Sequence, residues 1–389
     1  MSWSGKVAVV GAYESPRRKA PGVHPFEIHA ECVRGALEDA GLAFSDVDGL
    51  CSVGGGPSDG TAWAPVLELA EWLGLSSRLR YVDGTETGGC SPIAQAGRAA
   101  TQLAAGTVDV VVVSYAECGY SLLPDIGTGT AGLTAQGPGA FELPYGFSVV
   151  GAYALMAQRH MHEFGTTPEQ LAQVAVQCRA NASSNPDARY REPLTVEDVL
   201  ASPVIASPLH RFDCCVVTDS GGAVVLVGER RARECRKPPV WLLGFGEALA
   251  HSQINQMERF TATPGAASGR RAFAMAGVDH DDVDVAQLYD AFTITPLLAL
   301  EDLGFCEKGD GGPFVASGAI APDGQVPLNT DGGGLSSNHP GRRGMFLLVE
   351  SVRQLRGEGV GVQIGNARTA LAHGLGGAYS ATATMILGV

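Results

Sequence analysis

Apolar positions fall into two recurring patterns along the chain. Residues 7–10 form a short apolar run closed by Gly11, which predicts a buried strand. From about residue 24 to 40 the apolar positions return at helical spacing, and Gly41 stops them. Residues 40–48, Ala-Gly-Leu-Ala-Phe-Ser-Asp-Val-Asp, then lead into a strand at 49–53. Thr87-Gly88-Gly89-Cys90 opens an Ala-rich helix over 93–105, ended by Gly106. The valine-rich run 108–114 predicts a strand buried on both faces.

The same order recurs downstream. Ala276-Gly277-Val278 through Asp282-Val283-Asp284 matches residues 40–48 with a constant offset, 277 − 41 = 236. A glycine loop at 332–334, a helix running through Arg353 and a strand predicted at 360–364 repeat the later elements, with extra residues between them. A repeat of this length marks a duplicated α/β domain, not a solenoid. It divides the chain into halves at 1–240 and 241–389. Between the matched elements lies an insertion, about 116–208, which is expected to cover the site. It predicts helices at 148–163 and 167–182, the second opened by Thr167-Pro168-Glu169. A turn-rich stretch at 181–191 and a short helix at 194–202, capped by Thr195, follow. Strand is expected again over 213–227.

Composition narrows the class. The 389 residues are 45% hydrophobic and 17% charged, enough for a large core or two fused domains. A net charge of −14 excludes nucleic acid as the main partner. No signal peptide or membrane span is expected, so the chain reads as cytoplasmic. Nine Cys without a C-x-x-C pair fit a reducing compartment and predict no metal site or zinc ribbon within this chain. Gly244-Phe245-Gly246 lacks the third glycine and acidic follow-up of a dinucleotide fold, and there is no P-loop.

The chemistry concentrates in two loops. In Asp331 through Gly341, three glycines precede Ser336-Ser337-Asn338-His339-Pro340. Glycines let backbone N–H groups approach a ligand, and a Pro suits the first turn of a helix. This predicts one imidazole presented beside a helix start. Its counterpart in the first half is Gly88-Gly89-Cys90, so the two loops are expected to face one pocket. Adjacent Cys214 and Cys215 point to opposite faces of an extended segment and read as core.

A longer run completes the picture: Pro193-Leu194-Thr195-Val196-Glu197-Asp198-Val199-Leu200-Ala201-Ser202-Pro203-Val204-Ile205, then Ser207-Pro208-Leu209 and Arg211-Phe212-Asp213-Cys214-Cys215. With Tyr289-Asp290-Ala291-Phe292, His339-Pro340 and His373-Gly374-Leu375-Gly376-Gly377 in that order, it resembles the sterol-carrier-protein type of thiolase over nearly the whole chain. The resemblance implies a layered α-β-α-β-α sandwich, a homodimer and coenzyme A as substrate, with no tightly bound cofactor. It places four candidate catalytic residues. Cys90 stands at a helix start, where a thiolase carries its nucleophile, although counting back from Gly106 puts that position nearer Gly89. Otherwise Cys90 packs under the loop. His339 resembles the histidine that binds the thioester oxygen and activates the thiol, with Asn338 in place of the motif's glycine. His373 lies within one residue of the second cysteine's position, as a base or as a histidine held by the turn. Tyr289 replaces an asparagine, as an oxyanion donor or as a core aromatic.

Tyrosine at 289 is similar to thiolase-like steroid side-chain aldolases, which however carry Tyr at the position of His339. The His-Pro-Gly version resembles the thiolase subunit of benzoylsuccinyl-CoA cleavage. Both kinds of relative work with a small zinc-ribbon, OB-fold subunit, which implies such a partner. Arg342 and Arg343 read as phosphate contacts or as a solvated pair, and Asp290 as a structural support. Three functions follow: Claisen thiolysis of a β-ketoacyl-CoA through Cys90, retro-aldol cleavage of a β-hydroxyacyl-CoA without a nucleophile, or a non-catalytic scaffold or lipid carrier.

Overall fold

The computed structural model describes residues 2–53, 65–122 and 137–389. The first half runs β1 (Val7–Glu14), α1 (Pro25–Ala40), β2 (Gly49–Cys51), α2 (Pro65–Trp72), β3 (Tyr81–Asp83), α3 (Ser91–Ala104) and β4 (Val110–Cys118). A connecting region holds α4 (Gly119–Leu122), α5 (Val149–Phe164), α6 (Pro168–Ala182), α7 (Val196–Ala201) and a hairpin of β5 (Val204–Ala206) and β6 (Leu209–His210). β7 (Asp219–Gly228) and α8 (Glu229–Ala232) lead into the second half. That half runs β8 (Val240–Leu249), α9 (Gly265–Ala276), β9 (Val285–Leu288), α10 (Ile294–Leu303), α11 (Gly311–Ala316), α12 (Gly344–Arg356), β10 (Thr369–Gly376) and β11 (Ala381–Gly388).

Strands pair in the order β3-β2-β4-β7-β1-β8-β11-β10-β9. The two half-sheets join along β1 and β8, where Ala8 meets Trp241 and Val9 meets Val240. In each half a parallel pair (β2 with β4, β9 with β10) is flanked by an antiparallel strand, β7 or β11. The period-2 alternation of strands assigns the layers. Val111, Val113, Val224 and Leu226 share one core cluster with α3, α12, Ala370, Ala372, Met385 and Leu387. Val110, Val112, Val225 and Val227 pack with α1. Leu371 and Ile386 pack with α9 and α10. The result is the layered α-β-α-β-α order, with α3 and α12 in the middle. This explains why Met345 through Val352 are all buried: a central helix packed between two sheets has no solvent face to make polar.

The repeated motif has a definite job. Gly41 and Gly277 end α1 and α9 in the left-handed conformation, and one 3-10 turn follows each. Asp48 then accepts the backbone N–H groups of Asp109 and Val110 at 3.1 and 2.9 Å, where β4 begins. Asp284 accepts those of Arg368 and Thr369 at 2.7 and 2.9 Å, where β10 begins. Each motif ties the next parallel strand in register.

Two expectations change. Residues 360–364 form no strand: Val362 N–H bonds to Thr330 O and Ile364 N–H to the Gln354 side chain. Gly357, Gly359, Gly361 and Gly365 break up that stretch, and its side chains stay partly exposed, so the ladder forms instead at β10. The strand expected from 213 starts at Asp219, after a 3-10 turn at Arg211–Asp213. In the connecting region Thr167 caps α6 with Gln170 reciprocating, and Thr195 caps α7 with Asp198. No described helix is long and apolar enough to cross a membrane.

Replacing Asp284 by Ala removes two charge-assisted backbone bonds. It is expected to lower unfolding stability by about 1–2 kcal/mol without changing the helix content. Chemical denaturation followed by circular dichroism reads this directly, and an unchanged midpoint would refute the strand-tying role.

Candidate active site

The glycine loop of the second half is more structured than its sequence implied. After Asp331, Gly333–Ser337 makes one π turn, Asn338 is extended at φ −154°, and α12 starts only at Gly344. Pro340 therefore lies in the turn before the helix, not in its first turn. Arg343 holds this loop. Its guanidinium is fully buried and donates to Asp290 Oδ1 (3.1 Å), Asn338 O (2.8 Å) and both Asp331 oxygens (2.8 and 2.9 Å). Asp290 in turn accepts the N–H groups of Gly334 and Leu335 at 2.7 and 3.1 Å. A buried charge persists only when paired this completely. Arg343 is thus neither a phosphate contact nor solvated. Arg342 pairs with Glu86 (3.0 Å) and Glu117 (2.9 Å).

The connecting region closes over the same loop. Asn185 Nδ2 donates to Asp331 O, Arg179 Nε donates to Ser336 Oγ, and the N–H groups of Arg189 and Tyr190 donate to Ser337 O and Ser336 O. These bonds bring α6 and the turns after it against the 331–337 loop.

Tyr289 directly follows β9 and meets both loops. Its hydroxyl donates to Gly341 O at 2.6 Å and accepts the Arg343 N–H at 3.3 Å. Its ring lies 5.5 Å from that of His339, edge to face at 87°. On its other side lies Gly89, where a Cβ would fall 2.4 Å from both the Tyr289 ring and its hydroxyl oxygen. The aromatic side chain therefore fills the space that any residue larger than glycine would need at 89. Gly89 O also accepts the Gly344 N–H at 3.0 Å, so the two loops do face each other.

His339 is fixed through its backbone, its N–H donating to Thr218 Oγ1 at 3.0 Å. Its Nε2 is closed off from bulk water and has no hydrogen-bond partner among the described residues. Burial, reinforced by the Arg343 charge, pushes the imidazole down to about 3, so it is neutral at physiological pH. Burial also raises the Tyr289 hydroxyl above its ordinary value, against the pull of the two neighbouring guanidiniums. The pair is a neutral imidazole with an open nitrogen beside a protonated phenol.

Cys90 and His373 do not join them as expected. Cys90 caps α3, but its side chain is buried and its thiol points to Thr87, 3.4 Å from the carbonyl and 3.5 Å from the hydroxyl. Burial pushes the thiol up to about 12, overriding the favourable helix end. It packs under the loop. His373 lies on β10, on the face it shares with Leu371, while Ala370, Ala372 and Gly374 face the central helices. Its Nδ1 meets Thr384 Oγ1 at 2.8 Å and its ring lies beside Gly265 at the start of α9. Burial pushes it down to about 4. Only its backbone carbonyl reaches the group, accepting the Tyr289 N–H. Gly374 takes the inward position instead: a Cβ there would lie 2.9 Å from the Cys90 Cα. Cys215 donates its N–H to Ala291 O and Cys214 its thiol to His210 O, in keeping with core roles. Sequence reasoning missed Gly341 O and the Arg343 N–H, because main-chain groups leave no residue-type signal. It also missed Thr218, an ordinary residue type in an extended segment.

Residues 246–389 match the family described as thiolase C-terminal domain-like. The chain is 33% identical to an acetyl-CoA acetyltransferase of Methanothermobacter thermautotrophicus over 386 residues, covering 98% of each chain. It is 34% identical to the 17-hydroxy-3-oxo-4-pregnene-20-carboxyl-CoA lyase of Mycobacterium tuberculosis over 368 residues, 92% of this chain and 93% of that protein. Among solved structures, the Ltp2–ChsH2(DUF35) aldolase superposes with a TM-score of 0.88 at 31% identity, covering 100% of this chain and 99% of that one.

A thiol at about 12 is thiolate in roughly one molecule in 10⁴ or fewer near neutral pH. Native protein treated with iodoacetamide is expected to keep Cys90 unmodified, as read by peptide mass. Rapid stoichiometric alkylation at Cys90 would contradict its placement.

Proposed function

The chain belongs to the thiolase superfamily, and from that premise we propose that it cleaves a β-hydroxyacyl-CoA by a retro-aldol reaction. The observation that carries this reading is Tyr289 standing over Gly89. Claisen thiolysis needs a side-chain nucleophile in reach of the thioester. Position 89 has no side chain, and the Cys90 thiol is buried and turned to Thr87. A retro-aldol reaction needs none. It needs a group on the β-hydroxyl and a donor for the thioester oxygen, and Tyr289 and His339 are adjacent and suited to those parts.

In this mechanism the neutral His339 donates one ring N–H to the thioester oxygen. A neutral imidazole acts there as an electrophile without giving up its proton. Tyr289, protonated at rest, takes the β-hydroxyl proton in the small fraction that ionises; the Arg343 N–H and the Arg342 and Arg343 charges favour that anion against its burial. The β-carbon becomes a carbonyl as the Cα–Cβ bond breaks, and its electron pair passes into the thioester enolate under His339. The phenol then returns its proton to the α-carbon. The products are one ketone or aldehyde and one shortened acyl-CoA. No free CoA is consumed, and CoA serves only as the carried substrate.

The halves 1–240 and 241–389 would then each supply one loop of a single site. A small zinc-ribbon, OB-fold subunit of the DUF35 kind is the partner we assign, supported by the aldolase that superposes on the whole chain. We also assign a homodimer.

Tyr289→Phe is expected to lower kcat by about 10²–10⁴-fold, and His339→Ala by about 10²–10³-fold, each with the fold intact by circular dichroism. The pH profile carries the sign. His339 must be neutral and titrates at about 3, so no acid limb from it is expected between about pH 5 and 9. Tyr289 must be ionised and its value is raised, so cleavage should climb with pH across that window, and Tyr289→Phe should flatten the climb. A Tyr289→Phe protein with wild-type turnover would sink the proposal.

A further inference from the structure

We infer that Thr218 and Asn338 are positioning residues for His339, an inference that rests on reading His339 as the oxyanion donor. Asn338 stands where the resembling motif has glycine, yet its extended backbone does not require one. Its side chain is fully buried and every polar atom is used. Oδ1 accepts the Thr218 hydroxyl at 2.7 Å, and Nδ2 donates to Glu14 Oε1 at 2.9 Å and Ser220 Oγ at 3.1 Å. Its carbonyl accepts from Arg343.

The direction of these bonds follows from proton counting. Thr218 Oγ1 has one proton and gives it to Asn338 Oδ1, which leaves a lone pair for the His339 N–H. A buried line of bonds thus runs from Glu14 through Asn338 and Thr218 to His339. Its far end is rigid: Glu14 closes β1 and is paired with Arg18 at 2.8 Å and Arg353 at 2.9 Å. The imidazole itself makes no comparable bond through Nε2 and touches Tyr289 only by ring contact. The ring's aim toward a substrate oxygen is therefore set by its backbone anchor. A misplacement of ~1 Å in such a group costs as much as ~10²-fold in rate.

The test compares Thr218→Val, which keeps shape but loses both bonds, with Thr218→Ser, which keeps the hydroxyl, in the full chain. Thr218→Val is expected to lower kcat by ~10–100-fold with KM within ~3-fold, and Thr218→Ser to restore it. A second readout does not depend on the reaction: in ¹⁵N-histidine-labelled protein, Thr218→Val should shift the His339 ring resonances, assigned with His339→Ala, and Thr218→Ser should leave them in place. If no retro-aldol activity is found at all, these resonances still decide the positioning claim. If Thr218→Val does not fold, Asn338→Ala, which removes the acceptor of the same proton, takes its place. Unmoved His339 resonances with unchanged kcat in the folded variant would overturn the inference.

Discussion

The site depends on one buried cation. Arg343 draws together Asp290, just beyond the end of β9, Asp331, which opens the glycine loop, and the carbonyl that precedes His339. Its own N–H reaches the Tyr289 hydroxyl. Two elements distant in sequence are thus fixed by a single planar group, whose fork geometry suits carboxylates on two sides. Desolvating a guanidinium costs several kcal/mol, offset here by ionic and backbone partners. The same charge lies near His339 and helps keep its ring neutral. Arg343 thus contributes to both the structure and the acid–base state, with burial the larger cause of the latter.

A second constraint is steric. In the first half the loop at Gly88–Cys90 brings bare backbone to Tyr289 on one side and to Gly374 on the other. Around that loop there is main chain and an aromatic ring. The fold is that of the family. The phenol–imidazole pair to which the proposed cleavage assigns the chemistry is supported by main-chain groups of Gly341 and Arg343.

Much of this was legible in the sequence. The repeated Ala-Gly…Asp-Val-Asp motif announced the duplication, because a helix stop and a strand-tying aspartate both need particular residue types. The repeat also marked the helix running through Arg353, though not that its residues from Met345 to Val352 are all buried. His339 stood out as an imidazole after three glycines, and Tyr289 through the resemblance, where it replaces an asparagine. What was not legible depends on direction. One residue of register decides whether His373 or Gly374 faces the centre, and sequence spacing alone does not carry that resolution. Whether a helix end lowers the Cys90 pKa depends on burial, which acts against the dipole and outweighs it. Arg343 looked like a surface charge because its partners lie 53 and 12 residues away.

The account's central claim is that carbon–carbon cleavage here proceeds without acyl transfer to sulfur. The most direct measurement is the CoA balance when the protein, together with a zinc-ribbon, OB-fold subunit of the DUF35 kind, is given a β-hydroxyacyl-CoA in the presence of free CoA. The account predicts one shortened acyl-CoA and one ketone or aldehyde per turnover, with the free CoA pool unchanged. Cleavage of the matching β-ketoacyl-CoA into two CoA thioesters, with one free CoA consumed each time, would contradict it.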